Sequence, residues 1–314
     1  MKENQKYPLV SIVLATFNGE NYLPEQLDSI FAQTYPNIEV IAADDCSADG
    51  TLKILYAYAA NHKNLQIIES STNNGYIKNF EKAIAAANGE LIAPCDQDDA
   101  WHLHKIELMV KEMENYQMLY CDSEIVDDKL QSLGSKLSDK KNLDTYTSCL
   151  VFATDNCVAG HATLFTKKLF SSASPFPIPI PHDWWLSWNA TLNGGIKYIN
   201  IPLVKYRNHA GNFIGAVKIT QKKKTIQQRL SEKKQRKQII KERVALFFEK
   251  CPPELQYEKK ILKRLMVAYG SFSVVNNFHR VLLYLQQRKY FLAIKKCSLA
   301  YKYFFCIKMF FKIR

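Results

Sequence analysis

Negative charge is what this chain lacks at one end: no Asp or Glu follows Glu258. From Lys218 to Arg314 there are 25 Lys+Arg against 5 Asp+Glu, whereas residues 1–217 hold 17 against 25. The net charge of +12 therefore hides an acidic first part and a strongly basic last part, which suit different partners. Also missing is any uncharged apolar run of the roughly 18 residues that a membrane-spanning helix needs, so no span is expected. No charged-then-apolar leader is read at the start. None of the cysteines (Cys46, Cys95, Cys121, Cys149, Cys157, Cys251, Cys297 and Cys306) is spaced C-x-x-C. Buried, reduced thiols in a cytoplasmic protein are the expectation. No internal repeat and no low-complexity tract occurs, which sets aside solenoids and long flexible linkers.

What is present suits a large core. With 314 residues, 47% apolar and 12% aromatic, one large α/β domain with an appendage is the default. Leu9–Ala15, Ile38–Ala43, Leu65–Ile68 and Glu90–Pro94 are short apolar runs that read as buried strands. Between them apolar residues recur at helical spacing: Leu23, Leu27, Ile30 and Phe31, then Leu52, Leu55 and Tyr56, then Ile77, Phe80 and Ile84. This alternation predicts a parallel, doubly wound sheet with its ligand at the carboxyl ends of the strands. The polar clusters Thr16–Asn18, Asp44–Asp45 and Asp96–Asp99 fall at those ends, so one site gathers them. The second half is less regular. Strands are expected over Met118–Val126, Val158–Phe165 and Ile196–Tyr206, with a proline-rich loop over Pro175–Pro181. From about Lys218 the pattern is helical, basic and aromatic. The boundary is placed near Gly215, giving units 1–215 and 216–314.

The sequence Cys95-Asp96-Gln97-Asp98-Asp99-Ala100-Trp101 puts three carboxylates within four positions. Charges so close repel unless a cation holds them together. Clustered carboxylate oxygens suit Mg²⁺ or Mn²⁺. A divalent ion at a strand end waits for phosphate, which points to a nucleotide or nucleotide-sugar enzyme. The plainer alternative is an acidic, solvated turn capping the next helix. A nucleotidyltransferase shares the sheet and the metal but needs a Gly-rich, Lys-bearing loop after the first strand; Thr16-Phe17-Asn18-Gly19 has no Lys.

Four stretches, V-S-I-V-L-A-T-F-N-G-E-N-Y-L-P-E-Q-L-D-S-I, D-D-C-S-A-D-G-T, N-N-G-Y-I-K-N-F and D-Q-D-D-A-W, resemble family 2 glycosyltransferases in that order. The resemblance covers about residues 7–215. It implies an α/β, GT-A (Rossmann-like) nucleotide-sugar-binding domain with a mixed central sheet, followed by the basic helical region. It also implies a nucleotide-diphosphate sugar donor, a divalent metal and inversion at the anomeric carbon. D-Q-D-D-x-W with H-D-W-W and Y-R-N-H-A-G-N is most similar to bacterial rhamnosyltransferases, which implies L-rhamnose from dTDP-rhamnose. A UDP-hexose or UDP-N-acetylhexosamine donor, and a non-catalytic GT-A binding module, are the alternatives.

Residue by residue, the resemblance implies that Thr16, Phe17 and Asn18 face the base and ribose. Asp44 or Asp45 accepts the N3–H of uracil or thymine. Gly75 and Asn79 belong to the donor site with Asp96. Asp96 and Asp98 hold the metal, His209 completes it, and Arg207 grips the diphosphate. Asp99 ligates or only orients ligands. Asp183 is the general base for the acceptor hydroxyl, or else a helix N-cap. Many relatives are acidic where this chain has His182, which leaves His182 as an acceptor contact. Trp184 and Trp185 stand about 100° apart on a helix, so at most one faces the acceptor sugar and the other is core. His161 lines the same cleft or is a plain strand residue. Trp101 is read as a packing residue.

In the tail, Arg288, Lys295 and Lys302 are seven apart, as are Lys289 and Lys296. A cationic face beside aromatics predicts a helix lying on an anionic membrane surface from Tyr284 to Arg314. The expected enzyme is peripheral on the inner face of the plasma membrane, with a lipid-linked glycan acceptor. A helical bundle covering the catalytic domain is the alternative, and no nucleic-acid motif accompanies the charge.

Overall fold

The computed structural model of the chain describes residues 7–178, 180–209 and 225–311. In its first part β1 (Val10–Thr16), β2 (Ile38–Asp44), β3 (Leu65–Glu69) and β4 (Leu91–Asp96) alternate with α1 (Leu23–Phe31), α2 (Thr51–Ala59) and α3 (Tyr76–Ala86). There follow β5 (Ala100–Trp101), α4 (Lys105–Lys111), β6 (Met118–Val126), β7 (Ser132–Lys136), α5 (Leu137–Lys140), β8 (Thr163–Thr166), α6 (Lys167–Ala173), α7 (His182–Leu192) and β9 (Lys197–Arg207). Five helices complete the chain: α8 (Ile226–Lys250), α9 (Gln256–Gly270), α10 (Val274–Gln286), α11 (Arg288–Phe291) and α12 (Leu299–Lys308).

The sheet has the order β3-β2-β1-β4-β8-β6-β9-β5, with β7 on β6. It is mixed. The parallel arrangement expected from the alternation holds for β1 to β4 and again between β6 and β9, but not for the whole sheet. Parallel pairing of successive strands needs a crossover. β6 is instead followed by its hairpin partner β7 and a long loop, and β8 enters antiparallel to both β4 and β6. β8 is also shorter than the expected Val158–Phe165. The Asn156 side chain donates to Val158 O (2.9 Å) and accepts the Val158 N–H (3.0 Å), which takes that residue out of the ladder.

Period-two alternation sends Ile12 and Leu14 to one face of β1 and Val13 to the other. The first face packs on α1, α2 and α4 through Leu27, Ile30, Leu55, Ile106 and Met109. The second packs on α3, α6 and α7, and its core runs on without a break into α8 to α12. Trp185, Trp188 and Phe247 form one stack across that junction, with centroids 5.3 Å and 4.8 Å apart. The basic helices are thus built onto the catalytic layer. The boundary residue Gly215 lies outside the described residues.

The tail differs from the single amphipathic helix expected from Tyr284 to Arg314. Tyr284, Phe291, Leu292 and Ile294 are buried. Lys295 lies between α11 and α12 and pairs with Asp155 at 2.8 Å, and Lys296 donates to Ser138 O at 2.8 Å. The heptad spacing fails because a four-residue helix and a coil interrupt it, so Arg288, Lys295 and Lys302 share no face. No helix among the described residues is long and apolar enough to cross a membrane.

Candidate active site

Sheet register sets the site. Thr16 pairs with Asp44 on one side of β1, and Ala15 pairs with Asp96 on the other, so the acidic strand ends flank the end of β1. Asp44 accepts from Thr16 Oγ1 (2.9 Å), Ser47 Oγ (2.6 Å) and the Ser47 N–H (2.8 Å). Asp45 accepts the N–H groups of Asn74 (2.9 Å) and Gly75 (2.8 Å). Gly75 has φ +81°, a conformation that favours glycine. The first loop is fixed in turn: Asn18 accepts the Ala48 N–H (2.8 Å), while Phe17 stays exposed. Thr16 is buried with its hydroxyl on Asp44. Asn79 lies beneath the strand ends. It is buried, and its amide donates to Ala43 O (2.7 Å), bracing the strand ends from below.

Gln97, which sequence reasoning passed over, clamps β4 to the first loop. Its Oε1 accepts the Phe17 N–H (2.8 Å) and its Nε2 donates to Phe17 O (3.0 Å). The signal was an amide among carboxylates, able both to donate and to accept.

Asp96, Asp99 and His161 bring their donor atoms within 4.8 Å of one another. His161 Nδ1 lies 3.4 Å from Asp96 Oδ2 and 3.3 Å from Asp99 Oδ2, and Nε2 lies 3.0 Å from Ser123 Oγ. Tyr206 stacks on the imidazole. Lys105, fully buried, donates to His161 O (2.7 Å) and lies over the Trp101 ring, which is buried as expected. Asp99 Oδ1 accepts the Arg207 N–H (3.0 Å), whereas its buried Oδ2 receives no hydrogen bond. Burial, and then the charges of Asp98 and Asp96 working against His161, push Asp99 up to about 7. Burial and the Asp96 charge push Asp98 up as well. Burial also works on Asp96, but the hydrogen bond and charge of His161 outweigh it and hold that carboxyl low. A buried carboxylate oxygen that accepts no hydrogen bond, beside a second carboxylate and an imidazole nitrogen, fits a divalent cation.

The expected ligand set Asp96, Asp98 and His209 is divided. His209 Nε2 pairs with Asp98 Oδ2 at 2.9 Å, while Asp99 and His161 stand with Asp96. His161, expected toward the acceptor, is buried in the carboxylate cluster. Arg207 needs a plain correction. It is fully buried, its Nε donates to Asp98 O (2.7 Å), and its other nitrogens reach Asp128 O and the Glu25 carboxylate. No open fork is left for a diphosphate; Arg207 instead fixes the backbone of Asp98 and Asp99.

Asp183 opens α7 across the cleft. The N-cap position is Pro181, so Asp183 is not the cap. Its Oδ1 accepts the Trp184 N–H (2.7 Å) and its Oδ2 accepts from Asn156 Nδ2 (3.2 Å). Burial raises its pKa above the usual carboxylate range, with His182 and the Trp184 N–H opposing. Burial and then the charges of Asp183 and Asp96 push the Tyr76 phenol to about 12. Asn156, another residue that sequence reasoning missed, orients Asp183. Its neighbour Asp155 is held by Lys295 of the basic region.

His182 is buried against Phe80 (4.3 Å between centroids), and neither ring nitrogen has a hydrogen-bond partner among the described residues. Burial lowers its pKa, so the ring is neutral. A Cβ at position 160 would stand 2.8 Å from His182 Nε2, which explains Gly160. Trp185 is core, with its Nε1 donating to Ala173 O (2.6 Å), so it is the one of the two tryptophans that packs inside. Trp184 is half-buried, donates to Phe152 O (2.6 Å) and carries the Arg243 guanidinium 4.1 Å from its ring centre.

Acidic strand ends on a GT-A mixed sheet, faced by a carboxylate at a helix start, define a glycosyltransferase site. A family model described as "Glycosyl transferase family 2" matches residues 11–172, and the chain belongs to that family. It is 30% identical over 219 residues to an uncharacterised glycosyltransferase of Rickettsia typhi, covering 67% of each chain. It is 27% identical over 204 residues to WfgD of Escherichia coli, UDP-Glc:alpha-D-GlcNAc-diphosphoundecaprenol beta-1,3-glucosyltransferase, covering 63% of this chain and 77% of that one. Among solved structures it resembles Staphylococcus aureus TarS 1–349 in complex with UDP-GlcNAc (TM-score 0.58, 17% identity, 96% of this chain and 80% of that one), a likeness of fold.

Proposed function

We propose that the chain is an inverting, divalent-cation-dependent glycosyltransferase. It moves a sugar from a nucleotide-diphosphate donor to a hydroxyl of a lipid-linked or polysaccharide acceptor in cell-surface glycan synthesis, at the cytoplasmic face of the membrane. One observation carries the reading: the Asp96–Asp99–His161 cluster and Asp183 meet at the Gly160–His161 turn, where a Cβ on Gly160 would lie 3.7 Å from Asp183 Cβ. The base stacks on Phe17 and is read by Asp44 or Asp45. Asp96, Asp99 and His161 would hold the cation, with Asp98 and His209 beside them. When bound, the cation neutralises charge on the departing nucleotide diphosphate. Asp183, oriented by Asn156, takes the proton of the acceptor hydroxyl as it attacks from the opposite face. His182, buried beside Asp183 against Phe80, packs behind the base.

The donor we propose is dTDP-L-rhamnose, from the likeness of D-Q-D-D-A-W and H-D-W-W to that branch. A UDP-hexose or UDP-N-acetylhexosamine is the second reading, favoured by the donors in the names of WfgD and TarS. A hydrolysis panel of nucleotide sugars with Mn²⁺ or Mg²⁺ separates them. Turnover of dTDP-rhamnose, lost in excess EDTA, is the expected result. Preference for a UDP sugar selects the second reading. Cation-independent turnover contradicts the metal assignment.

A further inference from the structure

Two of the basic helices are apolar on both sides. On α10, Leu283 and Tyr284 face the core, yet Val274, Phe278 and Leu282, spaced i, i+4 and i+8, form a second, outward stripe. On α12, Phe305, Cys306 and Met309 are buried, yet Leu299 and Ile307 point outward, and Phe311 continues their spacing just beyond the helix. These outward residues are between 51% and 83% exposed. One apolar face of each helix is used on the core, and water explains neither outward stripe. The stripes join: the rings of Phe278 and Phe310 meet at 5.0 Å, and Phe310 meets Phe311 at 4.9 Å. Together they make one apolar surface of a kind that marks an interaction site.

Charge selects the occupant. From Lys259 to Arg314 there are thirteen Lys+Arg and no acidic residue. Lys308 lies 6.0 Å from the Phe304 ring centre and the Arg288 guanidinium 4.9 Å from that of Tyr303, so cations sit beside the exposed aromatics. A second copy of the chain would bring two acid-free cationic surfaces together, which like-charge repulsion opposes. We propose that the α10–α12 pair is a membrane-docking face, its apolar stripes entering the interface of an anionic leaflet and its cations meeting the headgroups. This deepens the reading of a lipid-linked acceptor and relocates the contact. The face includes α10, ahead of the stretch that the sequence singled out, and excludes the buried side chains Tyr284, Phe291, Leu292 and Ile294.

The test is co-sedimentation of the full chain with vesicles of phosphatidylglycerol and phosphatidylcholine, or of phosphatidylcholine alone. The double variant Val274→Glu with Ile307→Glu changes two exposed side chains of the stripes, so the fold should be kept. The wild type is expected on anionic vesicles and far less on neutral ones. The variant should bind about tenfold or more weakly, with its melting curve and nucleotide-sugar hydrolysis unchanged. Equal binding by the variant overturns the proposal. So does a wild type that sediments as a dimer while the variant is a monomer and neither binds vesicles, because the face then joins two copies. Hydrolysis on the same preparations keeps failure of docking apart from failure of the catalytic reading.

Discussion

Asp183 and Asp96 carry the same functional group but are tuned apart. Burial raises Asp183 with only partial opposition, whereas His161 holds Asp96 low. A base is useful only when deprotonated, and a carboxylate with a raised pKa loses that form as pH falls through the raised value. At saturating cation, which keeps the metal cluster deprotonated, the acid limb of transfer should therefore lie above the ordinary 3.8 of an aspartate. A pH–rate profile checks this, and a midpoint at or below 3.8 contradicts it. At this scale the sequence was legible where chemistry and position coincide: Asp96, Asp98 and Asp183 stand in motifs and carry charge. It was opaque where a role comes from burial or from a distant partner. Gln97 and Asn156 are neutral amides in loops, and nothing local says that Lys105 is fully buried under His161. Arg207 misled for the same reason, since a strand-end arginine reads as a phosphate grip until Asp98, Asp128 and Glu25 are seen around it.

Among the elements, β1 to β4 were legible almost to the residue because a continuous apolar run between turn signals has few other readings. β8 was less so, because the side chain of Asn156 competes for the backbone of Val158. The tail was misjudged because α10 and α12 have apolar residues on every side, so spacing alone does not say which face meets the core. The serine caps Ser273 and Ser298, which accept N–H bonds at the starts of α10 and α12, were the available signal that one helix was really several. A prediction follows from the packing. Ending the chain at Leu283 removes Tyr284, Phe291, Leu292, Ile294, Phe305 and Met309, all buried. At about 1.5–3 kcal/mol each, the loss is on the order of 10 kcal/mol, comparable with the stability of a whole domain. The shortened chain should show no cooperative melting transition. A transition within about 2 °C of the full chain would mean that these helices are a separate appendage.

On the scale of the whole molecule, the acidic and basic parts are joined by the shared core around Trp188 and Phe247, by Lys296 on Ser138 O, and by Lys295 on Asp155 beside the residue that orients Asp183. The basic part thus supports the base as well as offering a surface. The composition showed the division of charge but could not show this joint, which depends on partners 140 residues apart. The central claim is that this assembly moves a sugar with Asp183 as the base, and Asp183→Asn tests it most directly. Donor affinity by calorimetry and the single-turnover transfer rate are measured on the same protein. Unchanged donor affinity with a transfer rate lower by ~10²–10⁴-fold is the expected result. Weakened donor binding with turnover intact at saturation would contradict it and leave Asp183 a structural residue of the cleft.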